Sequence, residues 1–308
     1  MKVLVTGGAG YVGTSLIPQL LARGCQVRVL DNLTFGGDQL LPFFRWPNFE
    51  FVKGDVRNIE DVRSGVRSCD VIVHLAAIVG YPACRMDPKT AEEVNVQGSK
   101  NISLAVSQQQ LVLFASTGSN YGVVEEICDE GTRLNPLSLY GQTKTMAEAH
   151  LLENASTIAF RFATAFGSSP RLRLDLLVND FTYKAVTQQY LVVYEAHFMR
   201  TFIHVYDMGR AFLLALDNAD RMQGEVYNVG SENMNYSKRA VCQMIQKQTE
   251  CCVHYAEISA DADKRDYIVS YKKIHALGYE TSISLEHGIA ELMRAVQVLS
   301  CKNAYRND

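Results

Sequence analysis

Tyr140 and Lys144 stand four residues apart in "LYGQTKTMAE". On a helix that spacing sets a phenol and an ammonium on one face. A free tyrosine gives up its proton only near pH ~10, but a neighbouring cation favours the phenolate. A phenolate held against a substrate hydroxyl is a general base, able to take the proton while hydride leaves the same carbon. Upstream, "ASTGSNYG" (115–122) gathers Ser116, Thr117, Ser119 and Asn120. Thr117 or Ser116 can hydrogen-bond the reacting hydroxyl and relay its proton, with Ser119 and Asn120 on the substrate side.

These groups need elements to hold them. Apolar runs at Val3–Thr6, Gln26–Asp31, Phe49–Lys53, Asp70–His74, Leu111–Ala115 and Thr157–Phe162 read as strands. Stretches of helical period, among them Tyr11–Ala22, Glu92–Val106 and Tyr140–Glu153, lie between them. Strand and helix in alternation predict an α/β protein with a Rossmann-type, doubly wound parallel sheet covered on both faces. Ligands bind at the C-terminal strand ends of such sheets, where the 115–122 cluster falls. After about residue 165 the rhythm changes. Arg171–Gln189 reads as a loop running into a helix, followed by short strands and by helices at Val205–Asp217, Ser237–Gln248 and Leu285–Val298, with a strand at Val226–Val229. The expected division is a dinucleotide-binding domain at 1–165, to which parts of 200–230 return, and a smaller C-terminal α/β substrate lobe at 166–308.

The first strand runs straight into glycines, "MKVLVTGGAGYVG". Gly7, Gly10 and Gly13 permit a tight turn, close backbone approach to a pyrophosphate, and close packing of helix on strand. Tyr11 and Val12 open the helix, where free N–H groups and the helix dipole favour phosphate. Asp31 closes the second strand. Its carboxylate suits ribose hydroxyls and repels a 2′-phosphate, so NAD is expected rather than NADP, with Asn32 beside it. Arg28 alternates to a different face. Asp55 and Val56 follow the third strand and are expected to hold adenine through a carboxylate and a backbone amide. Leu75, Ala76 and Ala77 end the fourth strand and leave room for the cofactor to cross the sheet edge. Ser116, Tyr140 and Lys144 complete the cofactor's surroundings.

Composition narrows the remaining classes. The chain has 308 residues, 47% hydrophobic and 20% charged, which is ordinary globular material. A net charge of -3 with no basic block argues against nucleic acid as a partner. No signal-peptide pattern and no long apolar run point to a membrane. The eight cysteines form no CxxC pair and the seven histidines no HxxxH pair, so no metal site is expected and a reduced, cytoplasmic chain is.

With "TGGAGYVG", "GDVRN", "DVIVHLAA", "NVQGSKN", "YGQTKTMAE", "RTFIHVYDMGRAF" and "YNVG" in place, the chain resembles the extended short-chain dehydrogenase/reductases. The resemblance lies with their nucleotide-sugar epimerases, dehydratases and dehydrogenases and covers nearly the whole length. It implies that Thr117, Tyr140 and Lys144 are catalytic. It implies that Arg200 and Arg265 meet the substrate diphosphate, and that Asn179 lies in the segment that closes over it. Arg171 and Arg173 share that segment and could touch sugar or phosphate. Family dehydratases carry an Asp-Glu pair after the catalytic Thr; Gly118 and Ser119 stand there, so 4,6-dehydration is not expected. "GSSPRLRLDLLVNDFTYKAV", "EAHFMRTFIHV", "DKRDYIVS" and "AAIVGYPAC" look most like the branch with GDP-heptose 4-dehydrogenases of bacterial capsule pathways. That branch implies oxidation at sugar C4 with tightly held NAD, reoxidised by a 2-oxo acid, and puts Tyr81 and Cys84 near the sugar. A 4-epimerase using the same transient oxidation stands beside it, as does a catalytically silent NAD-binding regulator. Relatives pair as homodimers through two helices per subunit, here Glu92–Val106 and Tyr140–Glu153.

Overall fold

A strand buried on both faces has no polar side to show, so its sequence is a continuous apolar run. Such runs build the central sheet of the computed structural model, which describes residues 1–154, 156–256, 266–299 and 307. In chain order the strands are β1 (Lys2–Thr6), β2 (Gln26–Asp31), β3 (Phe49–Lys53), β4 (Val71–His74), β5 (Leu111–Thr117), β6 (Val123–Cys128), β7 (Thr157–Phe162), β8 (Thr164–Phe166), β9 (Tyr190–Tyr194), β10 (Met199–His204), β11 (Val226–Val229), β12 (Asn235–Ser237), β13 (Cys252–Ala256) and β14 (Asp266–Val269). Seven of them form one sheet in the order β11-β7-β5-β4-β1-β2-β3. Every pairing in that sheet is parallel. The chain winds outward from β1 to β3, then returns to lay β4 on the other side of β1. The crevice at that reversal is where open α/β sheets take ligands.

Alternation along each strand divides the core. Val3, Val5, Leu111 and Leu113 face one way, beneath the helices Tyr11–Ala22 and Val205–Asp217. Leu4, Val112 and Phe114 face the other, beneath Ile59–Val66, Gly98–Ala105 and Leu139–Leu152. A separate apolar cluster, with Phe166, Val178, Leu191, Phe202, Ile245 and Ile289, builds the second lobe. Its small sheets are β12-β10-β8 and β13-β9.

Three local features differ from the sequence reading. β5 runs past Ala115 to Thr117, so Ser116 and Thr117 are strand residues pointing to opposite faces. The helix expected at Glu92–Val106 has a π turn at Glu93–Gln97 between α segments Pro88–Glu92 and Gly98–Ala105. Such turns insert a residue into the helical ladder and re-aim side chains. Finally, Tyr267, Val269, Tyr271 and Ile274 join the core of the first lobe, because β14 pairs with β6. No helix among the described residues is long and apolar enough to cross a membrane.

Candidate active site

At the end of β1 the chain turns at Gly7, with φ +68°. A Cβ there would stand 2.7 Å from the backbone of Ala76, and one on Gly13 would stand 2.5 Å from the Gly8 carbonyl. Only glycine lets this loop pass between β4 and its own helix. Gly10 caps the Tyr11–Ala22 helix without a side chain, leaving the first-turn amides open to the crevice. The Asp31 carboxylate accepts from Ala9 N (3.0 Å) and Leu33 N (2.8 Å). Burial raises its pKa and those two amides pull it back. Arg28 points away and donates to the carbonyls of Gly65 and Arg67. The Asp55 carboxylate, expected to hold adenine, pairs with Arg57 and accepts from Asn32 Nδ2 (3.0 Å). The Arg57 bond draws it down to about 2.

A cavity of about 350 Å³ runs from this loop along the strand ends. Gly7, Gly10, Tyr11, Val12, Gly13, Asp31, Asn32, Asp55, Val56, Leu75, Ala76 and Ala77 border one end. Ser116, Thr117, Tyr140 and Lys144 border the other, together with Tyr81, Ser119 and Arg173. Residues far apart in the chain thus share one wall, as a dinucleotide reaching a reacting carbon requires.

The end with Tyr140 and Lys144 is built on the Leu139–Leu152 helix, capped by Ser138 Oγ accepting from Gly141 N (3.1 Å). Lys144 is 3% exposed, and its Nζ sits 4.0 Å from the centre of the Phe114 ring. Burial pushes this ammonium down to about 7, against the pull of Glu148 one turn on. Glu148 is itself buried, paired to Arg161 Nη2 at 2.6 Å. Ser116 Oγ donates to the same carboxylate, and Asn120 Nδ2 donates to both Ser116 Oγ (3.1 Å) and Glu148 (3.2 Å). Asn120, expected on the substrate side, is fully buried in that network. The hydroxyl of Ser116 is likewise committed. Among the described residues, Thr117 Oγ1 reaches only Ser119 Oγ (3.2 Å) and Ser119 N (3.1 Å), within the turn at the cavity wall.

Four buried residues that sequence reading passed over support the site. Glu148 continues the Tyr140–Lys144 spacing by one more turn, a signal that periodicity could have revealed. Arg161 carried none. Asn95, in the π turn, ties Ile78 N (2.7 Å) and Ile78 O (3.0 Å) to Thr143 Oγ1 (3.0 Å) on the Leu139–Leu152 helix. His74 forms a chain whose proton order follows from its ends. Ser99 Oγ donates to the Asn95 carbonyl (2.6 Å), so it accepts from His74 Nε2 (3.0 Å). His74 Nδ1 then accepts from Thr6 Oγ1 (2.7 Å), which in turn accepts from Ala76 N (3.3 Å). Burial, aided by the Lys144 cation, pushes this imidazole down to about 3, so it stays neutral.

On the substrate side the placements divide. Tyr81 borders the cavity, its hydroxyl accepting from Arg85 Nη1 (3.2 Å). Cys84 is buried, with Sγ donating to the Ile78 carbonyl (3.3 Å), and burial lifts its thiol to about 11. Arg173 is ion-paired with Asp175. Asn179 and Arg200, expected at the diphosphate, lie outside the cavity wall. The Asn179 amide accepts from Gly167 N (3.0 Å) and donates to the Arg173 carbonyl (2.8 Å), holding the loop that carries Arg173. Arg200 is buried in β10 with Nη1 on the Met199 carbonyl (3.0 Å). Arg265 lies outside the described residues. Tyr267, not anticipated, borders the cavity, its hydroxyl 3.1 Å from where a Gly118 Cβ would be.

The signature of the NAD dependent epimerase/dehydratase family matches residues 3–230. The CDP-paratose 2-epimerase of Salmonella typhi is 27% identical over 331 residues, covering 95% of this chain and 98% of the relative. The low-salt glycan biosynthesis protein Agl12 of Haloferax volcanii is 31% identical over 304 residues, covering 94% and 96%. The crystal structure of the Thermus thermophilus UDP-glucose 4-epimerase in complex with NAD superimposes with a TM-score of 0.84 at 26% identity, covering 97% of this chain and all of the other.

Proposed function

The chain belongs to the NAD dependent epimerase/dehydratase family, and on that premise we propose that it oxidises C4 of a nucleotide-activated sugar. NAD is the cofactor, and the residues present fit it. At Gly7 and Gly13 the cradle has no room for a Cβ, and Asp31 ends β2 where ribose hydroxyls would sit. When bound, NAD supplies the acceptor for the C4 hydride. Tyr140 takes the proton of the 4-hydroxyl. Lys144, one helical turn away, provides the positive charge that favours the phenolate. Thr117 hydrogen-bonds the reacting oxygen, since Ser116 is occupied by Glu148. The carrying observation is that Thr117, Tyr140 and Lys144 meet in the cavity that begins at the glycine cradle. A catalytically silent regulator would need none of the three there.

Two outcomes share this first step. Release of the keto-sugar makes a 4-dehydrogenase, and the second-lobe stretches favour a GDP-heptose-like substrate for it. Return of the hydride to the other face makes a 4-epimerase, favoured by the likeness to a UDP-glucose 4-epimerase. Gly118 and Ser119 offer no acid–base pair for dehydration. The protein acts as a homodimer in this reading, with Leu104 and Met146 exposed on the helices that would pair. The deciding experiment incubates the purified protein with GDP-, UDP-, dTDP- and CDP-sugars, with and without a 2-oxo acid. A keto-sugar that accumulates only with the 2-oxo acid supports the dehydrogenase. A product of unchanged mass and inverted C4, formed without oxidant, supports the epimerase. No turnover, together with NAD binding that survives Tyr140→Phe, refutes both.

A further inference from the structure

The loop after β8 leaves the second lobe and lies on the glycine turn. Ser169 Oγ donates to the Tyr11 carbonyl (2.7 Å) and lies 2.6 Å from Thr14 Oγ1. The backbone N–H of Arg171 donates to Thr14 Oγ1 (3.3 Å). Arg171 is therefore anchored over the first turn of the Tyr11–Ala22 helix, the end that faces a cofactor's diphosphate. Its side chain borders the cavity although the residue is only 4% exposed. The guanidinium carbon sits 4.7 Å from the centre of the Phe35 ring. Phe35 comes from the opposite wall, in the loop after Asp31, and Gln39 Nε2 pins that loop to the carbonyls of Ala9 (2.8 Å) and Gly36 (2.9 Å). The guanidinium also donates to the Leu172 carbonyl (2.6 Å) and to Asn307 Oδ1 (3.0 Å). Arg173, two residues on, faces the other way, toward Asp175 and the 79–81 loop.

We infer that Arg171 and Phe35 form a clasp over the diphosphate of NAD, which holds the cofactor in place through successive turnovers. A buried guanidinium gains most from an anion with two oxygens to offer, and a diphosphate presents them. The aromatic face holds the same group from the other side. Opening the mouth then means separating the two lobes' contributions, so dissociation is slow. This assignment moves Arg171 from the sugar nucleotide to the cofactor and leaves Arg173 for the substrate end.

The test follows release of NADH from the full chain, using its fluorescence and a chase of excess NAD. Phe35 is 41% exposed, so Phe35→Ala keeps the fold, which a melting curve verifies. It is expected to speed release by about 2- to 30-fold, the range of a stacked cation. Arg171→Ala is expected to speed it by more than about tenfold, and Arg171→Lys, which keeps charge but not the planar stack, to fall between. Affinities for UDP and GDP are measured in parallel on each variant. Release rates unchanged in Phe35→Ala and Arg171→Lys overturn the clasp even if Arg171→Ala does not fold. A fall in UDP or GDP affinity with NADH release unchanged also overturns it, and returns Arg171 to the substrate.

Discussion

Replacing Lys144 with Met should stabilise the protein while ending its chemistry. Methionine keeps an unbranched chain of similar reach and carries no charge. The lysine lies 3% exposed against Phe114, and burial takes its ammonium from 10.5 to about 7. At about 1.36 kcal/mol per pH unit, that displacement is a cost of roughly 5 kcal/mol for the charged form. Losing the ring contact returns about 0.5–2 kcal/mol of this. Glu148 keeps Arg161, so no carboxylate is orphaned. With relaxation around the charge, a net gain of about 2–3 kcal/mol is expected. An unfolding entropy of about 2.1 cal/mol/K per residue turns this into a rise in Tm of about 3–5 °C for a chain of this length. The gain depends on pH with a definite sign. Below pH 7 the lysine is charged in both states and the native protein bears the whole cost. Between about 7 and 10.5 the unfolded chain binds a proton that the native chain has shed, so wild-type stability climbs relative to the variant. Calorimetry of both cofactor-free proteins from about pH 6 to 9.5 should show a gap widest at the acid end. A variant less stable than wild type at pH 6, or a gap constant across the range, would refute the buried-charge reasoning.

Tyr140→Phe should lower kcat by about 10²- to 10⁴-fold, the usual worth of a positioned base, with NAD affinity preserved by titration; near-normal turnover would remove Tyr140 from the mechanism. Asp31→Ala removes the acceptor of Ala9 N and Leu33 N. NAD affinity should fall about tenfold, the worth of a hydrogen bond to a charged group, and the preference over NADP should narrow, as read by titrating both nucleotides. Glu148→Gln leaves the Arg161 guanidinium buried without its counter-charge and should cost about 3–5 kcal/mol, a Tm loss of about 5–8 °C. Replacing both partners with apolar residues should recover most of that loss, and no recovery in the double variant would count against a buried ion pair as the cause.

Local signals account for much of what was legible. The glycine turn was readable because φ above zero and close backbone approach demand glycine whatever surrounds it. β1 and β4 were readable because a doubly covered strand is mostly apolar, and β2, β3 and β7 because apolar residues still dominate them. The Tyr140–Lys144 pair was readable because a helix repeats every 3.6 residues. Boundaries were less legible where the signal was weak: Ser116 and Thr117 look like turn residues, yet pairing with β7 keeps them in the strand. Substrate residues were the least legible. Asn120, Asn179 and Arg200 have the right chemistry for a polar ligand, and nothing in the sequence signalled that each also bonds to neighbours inside the protein.

What the amino-acid sequence determined alone was the cofactor half: the glycine cradle, the acid at the end of β2, and the helix carrying Tyr140 and Lys144. Each depends on spacings of a few residues, and so survives without knowledge of the rest. What only the tertiary structure decided was how those pieces are charged and closed. Glu148 meets Arg161, His74 bridges Thr6 to Ser99, and Arg171 reaches Phe35 because the sheet brings distant segments to one edge. Those contacts shape the charge around Lys144, the commitment of the Ser116 hydroxyl, and the walls of the cavity. Electrostatic energy in a buried site depends on distance and desolvation, and neither exists until the chain has folded.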